Sequence, residues 1–303
     1  MIAPHTPVLV EQVVRWLRIE PGGTYIDATV GTGGHSLEIV RHLTTGQLVG
    51  LDRDAQALEI ARERLKDFEK QVTLVHANFS RIDEVARDLR LPPAKGVVAD
   101  LGVSSPQLDT PARGFSFRAA GPLDMRMGSS EPLTAAEIVN QWPEKQMADL
   151  LWKFGEERNS RRIARAIVRA RPIRDTGHLA TVVAGVCKAR GRQRLHPATK
   201  TFLALRIAVN RESEELGQFL SRTPATLASG GRFVVLSYHS LEDRMVKHAF
   251  LNFARQGVLQ VLTKKVIVPS VEEIHANPRA RSAKMRVAER KAPLEMPATH
   301  TAS

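Results

Sequence analysis

The sequence predicts an α/β fold with a Rossmann-like, mostly parallel sheet and an inserted helical domain. Two observations predict this fold. Short apolar runs rich in β-forming residues alternate with helical spacings over the first 105 residues and return near residue 230, whereas the stretch between them shows only helical spacings. Alternating strands and helices favour a parallel sheet with right-handed crossovers. We therefore predict a discontinuous sheet domain over 1–105 and 201–303 and an inserted helical domain over 106–200.

The composition is that of a soluble globular protein with a sizeable core, since 43% of its 303 residues are hydrophobic and 25% are charged. No apolar run reaches the length of a membrane span, and the N-terminus lacks the pattern of a signal peptide. We therefore expect a cytoplasmic protein without a membrane partner. The single Cys187 excludes an internal disulfide framework and a multi-cysteine zinc site, so we predict no metal.

The net charge of +12 favours a polyanionic partner, because each phosphate contact releases counterions. The positive charge is clustered. Residues 156–174 hold seven Arg against two Glu, and residues 188–194 form a second run with no acidic residue. A third basic cluster lies between residues 279 and 291. These clusters favour RNA or DNA as the partner, although helical arginines are also typical of the solvated face of a bundle.

The first strand ends in a glycine loop. An apolar helical spacing over 8–18 precedes the strand, which covers residues 25–30. The loop after it contains Gly31, Gly33 and Gly34. Glycine lets the backbone approach a ligand closely, and the exposed N–H groups at the start of the following helix favour polar or negative groups. For this loop alone, a purely structural turn is the alternative.

The second strand, 47–51, ends at Asp52, about 20 residues after the glycines, a spacing at which an acidic side chain binds the hydroxyls of a ribose. A helix-capping Asp is the alternative, but Asp54 can serve as that cap. NAD and S-adenosylmethionine both carry an adenosine. Ser36 replaces the third glycine of a dinucleotide-binding loop, and Asp27 precedes the loop. The loop thus resembles that of class I S-adenosylmethionine-dependent methyltransferases, with Thr29 in place of the first glycine.

Two further strands end in residues suited to a ligand site. The third, 72–75, is followed by Phe79, and the fourth, 96–99, is followed by Asp100. Ligands of parallel sheets bind at the carboxyl ends of the strands. Glycine, acid, aromatic and acid at four strand ends therefore indicate one binding site more strongly than any one of them alone.

The stretch after the fourth strand carries the candidate chemistry. An exocyclic amine of a base is a poor nucleophile because its lone pair is delocalised, so an enzyme must hold its protons with acceptors and align it with the methyl donor. Asp100, Ser104 and Ser105 are our candidate acceptors. Amino-methyltransferases have a short Asp/Asn/Ser-Pro-Pro-aromatic motif here, and this chain departs from it with Ser105-Pro106-Gln107 and no aromatic directly after. An ordinary proline turn at Pro106 is the alternative.

The loop that follows mixes arginines with aromatics, the chemistry of surfaces that stack single-stranded bases. We predict RNA contacts from Arg113, Phe115, Phe117 and Arg126. The alternative is that the two Phe rings cover a core.

Helical patterns without strands follow this loop. Thr134 and Glu137 have the spacing of a capping box, and one long helix is predicted from His196 to Leu220. The sheet resumes with a strand over 232–236. We expect Ser240 to cap the next helix, at the end of that strand.

His239 is predicted either to face the substrate as a proton acceptor or to be a hydrogen-bonded structural histidine. A last β-like run covers residues 261–268. The basic residues Arg279, Arg281 and Lys284 follow as predicted RNA contacts, and the tail after Pro293 is expected to be disordered.

Taken together, seven stretches resemble one family. They are HTPVL (5–9), GTGGHS (31–36), DLGVSSPQ (100–107), RGFSF (113–117), GPLDMRM (121–127), SYHSLEDR (237–244) and NPRARSAK (277–284). The family is that of the bacterial ribosomal RNA small-subunit methyltransferase H, also called MraW, and the likeness spans residues 5–290. It implies a class I methyltransferase fold with an inserted helical domain for substrate recognition.

The resemblance further implies transfer of a methyl group from S-adenosylmethionine to the N4 amine of a cytosine near the decoding centre of 16S rRNA, within a largely assembled small subunit. It implies that the cofactor contacts include Gly33, Gly34, His35, Asp52, Phe79, Asp100 and Gln107, to which we add Gly31. It assigns no catalytic base. The methylated amine is acidic, so its proton can leave to water or to a nearby acceptor.

Two other functions use the same features. A nicotinamide-dependent dehydrogenase needs the same ribose acid, but the loop sequence and the Ser-Ser-Pro stretch argue against it. An RNA-binding assembly factor with a vestigial nucleotide pocket is a non-enzymatic alternative, against which the intact Asp52, Phe79 and Asp100 argue.

Overall fold

The computed structural model describes residues 7–128, 131–186 and 196–292. Some features discussed above lie outside these residues: His5 and Thr6, Cys187, the basic run 188–194 and the C-terminal tail.

The chain forms two compact units. The sheet unit contains the described residues of 1–52, 58–102 and 217–303. The helical unit contains those of 53–57 and 103–216. The predicted insertion, 106–200, lies within the helical unit. This unit also includes residues 201–216, which the sequence pattern assigned to the sheet domain.

The strands are β1 (Thr24–Asp27), β2 (Gln47–Asp52), β3 (Val72–His76), β4 (Ala94–Asp100), β5 (Leu227–Ser237), β6 (Leu259–Val261) and β7 (Lys284–Arg290). They form one seven-stranded sheet in the order β3-β2-β1-β4-β5-β7-β6. Strands β1 to β5 pair in parallel, and β7 is antiparallel to both of its neighbours. The predicted Rossmann-like, mostly parallel α/β fold is therefore confirmed. Three carboxyl ends of this sheet carry acids, Asp27, Asp52 and Asp100.

The helices in the first half of the chain are α1 (Val10–Leu17), α2 (Gly34–Val40), α3 (Ala55–Arg64), α4 (Ile82–Asp88), α5 (Ser105–Asp109), α6 (Ala135–Gln141) and α7 (Glu144–Gly155). Those in the second half are α8 (Ser160–Arg169), α9 (Thr176–Val186), α10 (Thr199–Val209), α11 (Glu212–Thr226), α12 (Ser240–Arg255) and α13 (Val271–Ala276). Among the described residues, no helix is both long enough and apolar enough to cross a membrane.

The sheet is buried on both faces, which explains why its strands are nearly continuous apolar runs. Val97 and Val98 are neighbours in β4 and so point to opposite faces, yet both are at most 1% exposed. Phe233 of β5 lies in a row of rings, 5.5 Å from Phe219 and 5.1 Å from Phe250 between centroids. Burial of these large side chains stabilises the unit that carries the acids at the strand ends.

The helical unit buries a separate core. Its apolar residues recur at helical spacing, as in Ile138, Met147, Leu151, Ile163, Ile167, Leu179, Val183, Phe202 and Leu205. The capping box predicted at the start of α6 is confirmed. Thr134 Oγ1 accepts the Glu137 N–H at 3.3 Å, and Glu137 Oε2 accepts the Thr134 N–H at 2.7 Å.

The prediction of one long helix from His196 to Leu220 is wrong, because the chain breaks between α10 and α11. Arg211 has a φ of +50° at the break. The adjacent Asn210 is fully buried, and its side chain accepts the Met127 N–H and donates to the Met125 carbonyl, both at 2.7 Å. These tertiary hydrogen bonds stabilise the break, and apolar periodicity alone does not report them.

Strand β7 lies in a segment that the sequence identified only as basic. Its apolar residues Met285 and Val287 are fully buried and alternate with Lys284 and Arg286, the pattern of a strand with one buried face. The predicted β-like run 261–268 is reduced to the end of β6 and an isolated bridge from Ile267 to Met285.

Replacing Asn210 with Ala should destabilise the protein by about 3 kcal/mol, because the Met127 N–H and the Met125 carbonyl lose their partner while buried. The free energy of unfolding in urea measures this change. Asn252→Ala, at an exposed position on α12, is the control and should change it little. Equal stability of Asn210→Ala and the wild type would show that these hydrogen bonds do not stabilise the break.

Candidate functional site

The glycine loop presents open backbone at the end of β1. Gly31 has a φ of +52° and Gly33 a φ of +80°, a region that L side chains rarely adopt. A Cβ placed on Gly31 would meet only the Thr29 carbonyl oxygen, at 4.0 Å. The Gly31 N–H donates to Asp52 Oδ2 at 2.7 Å, which ties the loop to the end of β2. The loop therefore combines an unobstructed backbone with a carboxylate at the neighbouring strand end.

A buried carboxylate supports this loop from below. Asp27 is 1% exposed, and its two oxygens accept the Ser36 hydroxyl at 2.6 Å and the Thr29 N–H at 3.2 Å. Burial raises the pKa of Asp27, and the hydrogen bond from Ser36 opposes this rise. Asp27 thus joins β1 to the start of α2 and holds the loop in shape.

Asp100 lies at the end of β4 and is the best-connected acid of the site. Its Oδ1 accepts the Tyr238 hydroxyl at 2.7 Å, and its Oδ2 lies 3.7 Å from His35 Nδ1. Its own N–H donates to Thr29 Oγ1 at 2.6 Å. About 25% of the Asp100 side chain is exposed, so the carboxylate is held from several sides and still open to a ligand.

The hydrogen bonds of His35 define its tautomer. Its Nε2 lies 2.9 Å from the Val8 carbonyl oxygen, which can only accept, so Nε2 carries a proton. The ring is 6% exposed, and Nδ1 faces the Asp100 carboxylate. The ring therefore lies against the carboxylate at the strand end.

Burial raises the pKa of Asp100, while the nearby His35 and the hydrogen bond from Tyr238 act in the opposite direction. Tyr238 has a pKa well above its ordinary value because of burial and because of the negative charge on Asp100. Tyr238 consequently remains a hydrogen-bond donor, and Asp100 binds a proton more tightly than an exposed aspartate.

Asp52 and Phe79 lie where the sequence predicted, at the ends of β2 and β3, and both are half-buried. The alternative for Asp52, a helix cap, belongs to Asp54, whose Oδ1 accepts the Gln56 N–H at 3.1 Å at the start of α3. The Phe79 ring packs edge-to-face on Phe219, with centroids 5.1 Å apart. Its position is thus set by the core.

The alternative of an ordinary proline turn at Pro106 does not hold, because Pro106 occupies the first turn of α5, where no N–H is needed. Gln107 is 5% exposed; its Oε1 accepts the Ser104 N–H at 3.0 Å and its Nε2 donates to Asp54 Oδ2 at 2.8 Å. The cofactor contact of Gln107 stays a prediction, and its side chain also has a structural role. Among the described residues, the buried Ser104 Oγ has no hydrogen-bond partner.

His239 is the N-cap of α12, one residue before the predicted cap Ser240. Its Nδ1 lies 3.4 Å from the Glu242 N–H, and its Nε2 lies 3.1 Å from Glu242 Oε1. The geometry supports the structural alternative for this histidine, since both ring nitrogens face Glu242.

The loop predicted to stack bases is largely core. Phe115 is 8% exposed, and Phe117 packs on His196 and Phe202 at 4.6 and 4.8 Å between centroids. The geometry favours the alternative that these rings cover the core of the helical unit, and their role as RNA contacts stays a prediction.

The two arginines of this loop are also engaged within the helical unit. Arg113 pairs with Asp54 at 3.0 Å and donates to the Arg126 and Met127 carbonyls. Arg126 forms two hydrogen bonds to Asp124, at 2.8 and 2.9 Å. Their role as RNA contacts stays a prediction.

The basic residues near the C-terminus lie around the start of β7. Arg281 is exposed, whereas Arg279 and Lys284 are half-buried. Lys284 Nζ lies 3.5 Å from Asp243 Oδ2. These residues remain predicted RNA contacts.

The arginine-rich run 156–174 forms much of α8, whose buried face contains Ile163 and Ile167. Six of the seven arginines of the run are exposed: Arg158, Arg161, Arg162, Arg165, Arg169 and Arg174. Arg171 differs, because it donates to the Val139 carbonyl at 2.8 Å and to the Trp142 carbonyl. The exposed members supply the positive surface that the sequence predicted.

Sequence reasoning missed the role of Tyr238. Its position directly after β5, at the same edge of the sheet as Asp100, was the available signal, because a hydroxyl at a strand end can reach a neighbouring strand end.

Comparisons with known proteins place these features in a family. The model of the MraW methylase family matches residues 2–291. The ribosomal RNA small subunit methyltransferase H of Cyanothece sp. is 53% identical over 291 residues, covering 96% of this chain and 96% of that protein. The protein of the same name from Koribacter versatilis is 50% identical over 297 residues, covering 95% and 94%. Among solved structures, a putative rRNA-methylase from Clostridium thermocellum has a TM-score of 0.46 at 14% identity, covering 94% and 99%.

Tyr238→Phe should raise the pKa of Asp100 further, because it removes a hydrogen bond that favours the charged carboxylate. A carbon-detected NMR titration of the aspartate carboxyls measures this pKa, with Asp100→Asn assigning the signal. Tyr25→Phe is the matched control, since the Tyr25 oxygen accepts from Glu20 N and not from the site. An unchanged or lower pKa in Tyr238→Phe would contradict the assigned hydrogen bond.

Proposed function

The chain belongs to the MraW methylase family, and from this membership we propose that it methylates the N4 amine of a cytosine in the decoding region of 16S rRNA. Its fold is that of a class I methyltransferase, S-adenosylmethionine is its cofactor, and ribosomal RNA is its substrate. The family motifs in the sequence support the choice of cytosine and of its N4 atom. The single observation that carries the proposal is the partly exposed Asp100 carboxylate, held at a strand end by Tyr238 and His35.

The residues of the sheet unit fit this cofactor. The open backbone at Gly31 and the left-handed Gly33 allow a ligand to approach the loop, and the half-buried Asp52 suits the hydroxyls of a ribose. Phe79 supplies an apolar surface at the next strand end. The bound cofactor supplies an electrophilic methyl group on a sulfonium.

The amine of cytosine must be oriented before it can accept this methyl group, because its lone pair is delocalised into the ring. We assign this task to Asp100, whose oxygens accept hydrogen bonds from the amine protons, so that the nitrogen lone pair leaves conjugation with the ring and points toward the methyl donor. Tyr238 and His35 hold the carboxylate in one orientation, so the carboxylate needs little reorientation during the reaction.

The proton that leaves the methylated amine needs an acceptor. Asp100 is the first candidate within the sheet unit, because its raised pKa makes it a stronger base than an exposed aspartate. Ser104 and Ser105 remain proposed to orient the amine, and His239 remains a proposed alternative acceptor. Full turnover in both Ser105→Ala and His239→Ala, with unchanged cofactor binding, would remove those two residues from the mechanism.

Methyl transfer from labelled S-adenosylmethionine to small ribosomal subunits that lack their own decoding-region methylation tests the proposal. Nucleoside mass spectrometry should identify the product as N4-methylcytidine. Label on another nucleoside would overturn the assignment of cytosine as the target, and the assignment as an rRNA methyltransferase would stand. Cofactor binding without any transfer would instead support the RNA-binding assembly factor as the function.

The same assay tests the expected state of the substrate. We propose that the enzyme acts on a largely assembled small subunit, so transfer to naked 16S rRNA should be much slower than transfer to subunits. Equal rates on both substrates would contradict this.

Asp100→Asn should lower kcat/KM for the RNA by about 10²-fold or more, because the amide cannot accept a proton and one of its two groups is a donor. The wild-type rate should fall as the pH drops through the raised pKa of Asp100, since protonation removes the acceptor. Asp100→Asn should lack this acidic limb. Asp67→Asn, at an exposed position, is the control. An unchanged acidic limb in Asp100→Asn would assign the titration to another group.

Replacing the exposed Arg161 and Arg169 of α8 with Ala should weaken RNA binding and flatten its salt dependence, by about one unit of slope for each lost phosphate contact. Fluorescence anisotropy with labelled RNA between 50 and 200 mM salt, roughly the range over which phosphate contacts weaken most visibly, measures both quantities. Lys145→Ala, exposed on α7, is the control. An unchanged slope would identify these arginines as a solvated helix face.

A further inference from the structure

A basic cavity lies between α12 and β7 in the sheet unit and takes no part in the proposed chemistry. Its volume is about 360 Å³, and Ser240 forms part of its wall. Its charged and titratable lining residues are Asp243, Arg244, Lys247, His248, Lys284 and Arg286. Four permanent cations thus face one carboxylate.

Secondary structure places these cations together. Lys247 and His248 lie three and four residues after Arg244 on α12, so both neighbour Arg244 on one face of the helix. Lys284 and Arg286 alternate with buried residues in β7 and so share one face of the strand. Two elements therefore contribute cations to the same space.

Asp243 anchors the strand side of the cavity. Its Oδ1 accepts from Arg286 Nε at 2.7 Å, and its Oδ2 lies 3.5 Å from Lys284 Nζ. Burial acts to raise the pKa of Asp243, but the hydrogen bond from Arg286 and the charges of both cations outweigh it, so the pKa lies below its ordinary value. The carboxylate is therefore ionised at neutral pH, and it orients two cations without neutralising the cavity.

Two of the residues that α12 contributes to the cavity have side chains without a protein partner. Lys247 and His248 are exposed, and neither side chain has an ion pair or hydrogen bond in the part of the chain that the structure describes. A lysine without a protein partner is free to bind a ligand at low cost, whereas Arg286 is only 11% exposed and already oriented. The cavity thus combines a preorganised wall with an adaptable one.

The cavity lies at the edge of the sheet where the proposed chemistry takes place. Lys284 is paired in register with Ser237, the last residue of β5. The next residue, Tyr238, donates its hydroxyl to Asp100. The cavity and Asp100 therefore lie at the same edge of the sheet, within reach of one nucleotide strand.

We propose that this cavity binds a backbone phosphate of the RNA substrate, near the nucleotide that is methylated. The inference rests on the proposed function, because it takes the substrate to be RNA. A phosphate matches the positive excess, and a guanidinium and ammonium groups are its usual protein ligands. A volume of about 360 Å³ is more than ten times the share of one water in the liquid, about 30 Å³, and so accommodates a phosphate with its hydrating waters.

Such a contact positions the strand and does not read its sequence. A phosphate held beside the strand end restricts how far the neighbouring base can move from Asp100. The cavity should therefore contribute to RNA affinity and to KM for the RNA, and not to cofactor affinity.

The test compares Lys247→Glu with the wild type in binding a fluorescently labelled, single-stranded RNA oligonucleotide of the decoding region. Lys70→Glu is the matched control, because Lys70 is also exposed and lies just before β3, at the opposite edge of the sheet. Lys247→Glu should raise Kd about tenfold and lower the salt slope by about one unit, whereas Lys70→Glu should change neither. Calorimetry should show the same affinity of all three proteins for S-adenosylmethionine.

A second measurement identifies the ligand group. In a series of oligonucleotides, each phosphate is replaced in turn by an uncharged methylphosphonate. The wild type should bind one of these RNAs more weakly than the rest, and Lys247→Glu should have lost that difference. If each methylphosphonate lowered the RNA affinity of the wild type and of Lys247→Glu by the same factor at every position, the proposal would be overturned.

These outcomes separate the cavity from the proposed function. If the wild type methylates cytosine N4 and Lys247→Glu binds RNA as well as Lys70→Glu does, the cavity proposal fails alone. If RNA binding follows the expected pattern but N4-methylcytidine does not form, the proposed reaction fails and the phosphate site stands. Binding that is insensitive to salt in the wild type overturns the phosphate site.

Discussion

The contact of Asp100 with Tyr238 and His35 is the constraint on which the site depends. A carboxylate that is largely withdrawn from water is costly unless its oxygens have polar partners. Here the Tyr238 hydroxyl, after β5, donates to Asp100, and His35 at the start of α2 lies 3.7 Å from it. The backbone of Asp100 is tied in turn to Thr29 in the glycine loop. One acid therefore connects three segments of the sheet unit, and its raised pKa is a consequence of the burial that makes this connection possible.

The sheet topology explains why separate chemistries meet at one edge. Because the strands are parallel, the carboxyl ends of β1, β2 and β4 lie at one edge and bring together the glycine loop, Asp52 and Asp100. The antiparallel β7 begins at this same edge. Lys284 therefore lies at the carboxyl edge although it starts its strand. The Asp100 carboxylate and the basic cavity are thus placed at the same edge by one change of strand direction.

Several sequence predictions depended only on local patterns, and these agree with the structure. Strand-forming runs, the capping box at Thr134 and the acid at the end of β2 follow from short-range periodicity and spacing. The long helix through Asn210 was wrong, and the sequence left open whether Phe115 and Phe117 cover a core, because both features depend on contacts between distant residues. Asn210 bonds to Met125 and Met127, and Phe117 packs on Phe202.

The sequence by itself determined the α/β class, the glycine loop, the family and the acids at the strand ends, because each follows from residue types at fixed spacing. Only the tertiary structure decided how those residues are used. It paired Tyr238 with Asp100, gave Asp54 rather than Asp52 the capping role, turned His239 toward Glu242 and gathered cations from α12 and β7 around Asp243. These pairings join residues far apart in the chain, and a hydrogen bond or ion pair between them exists only once the sheet has brought the strand ends together.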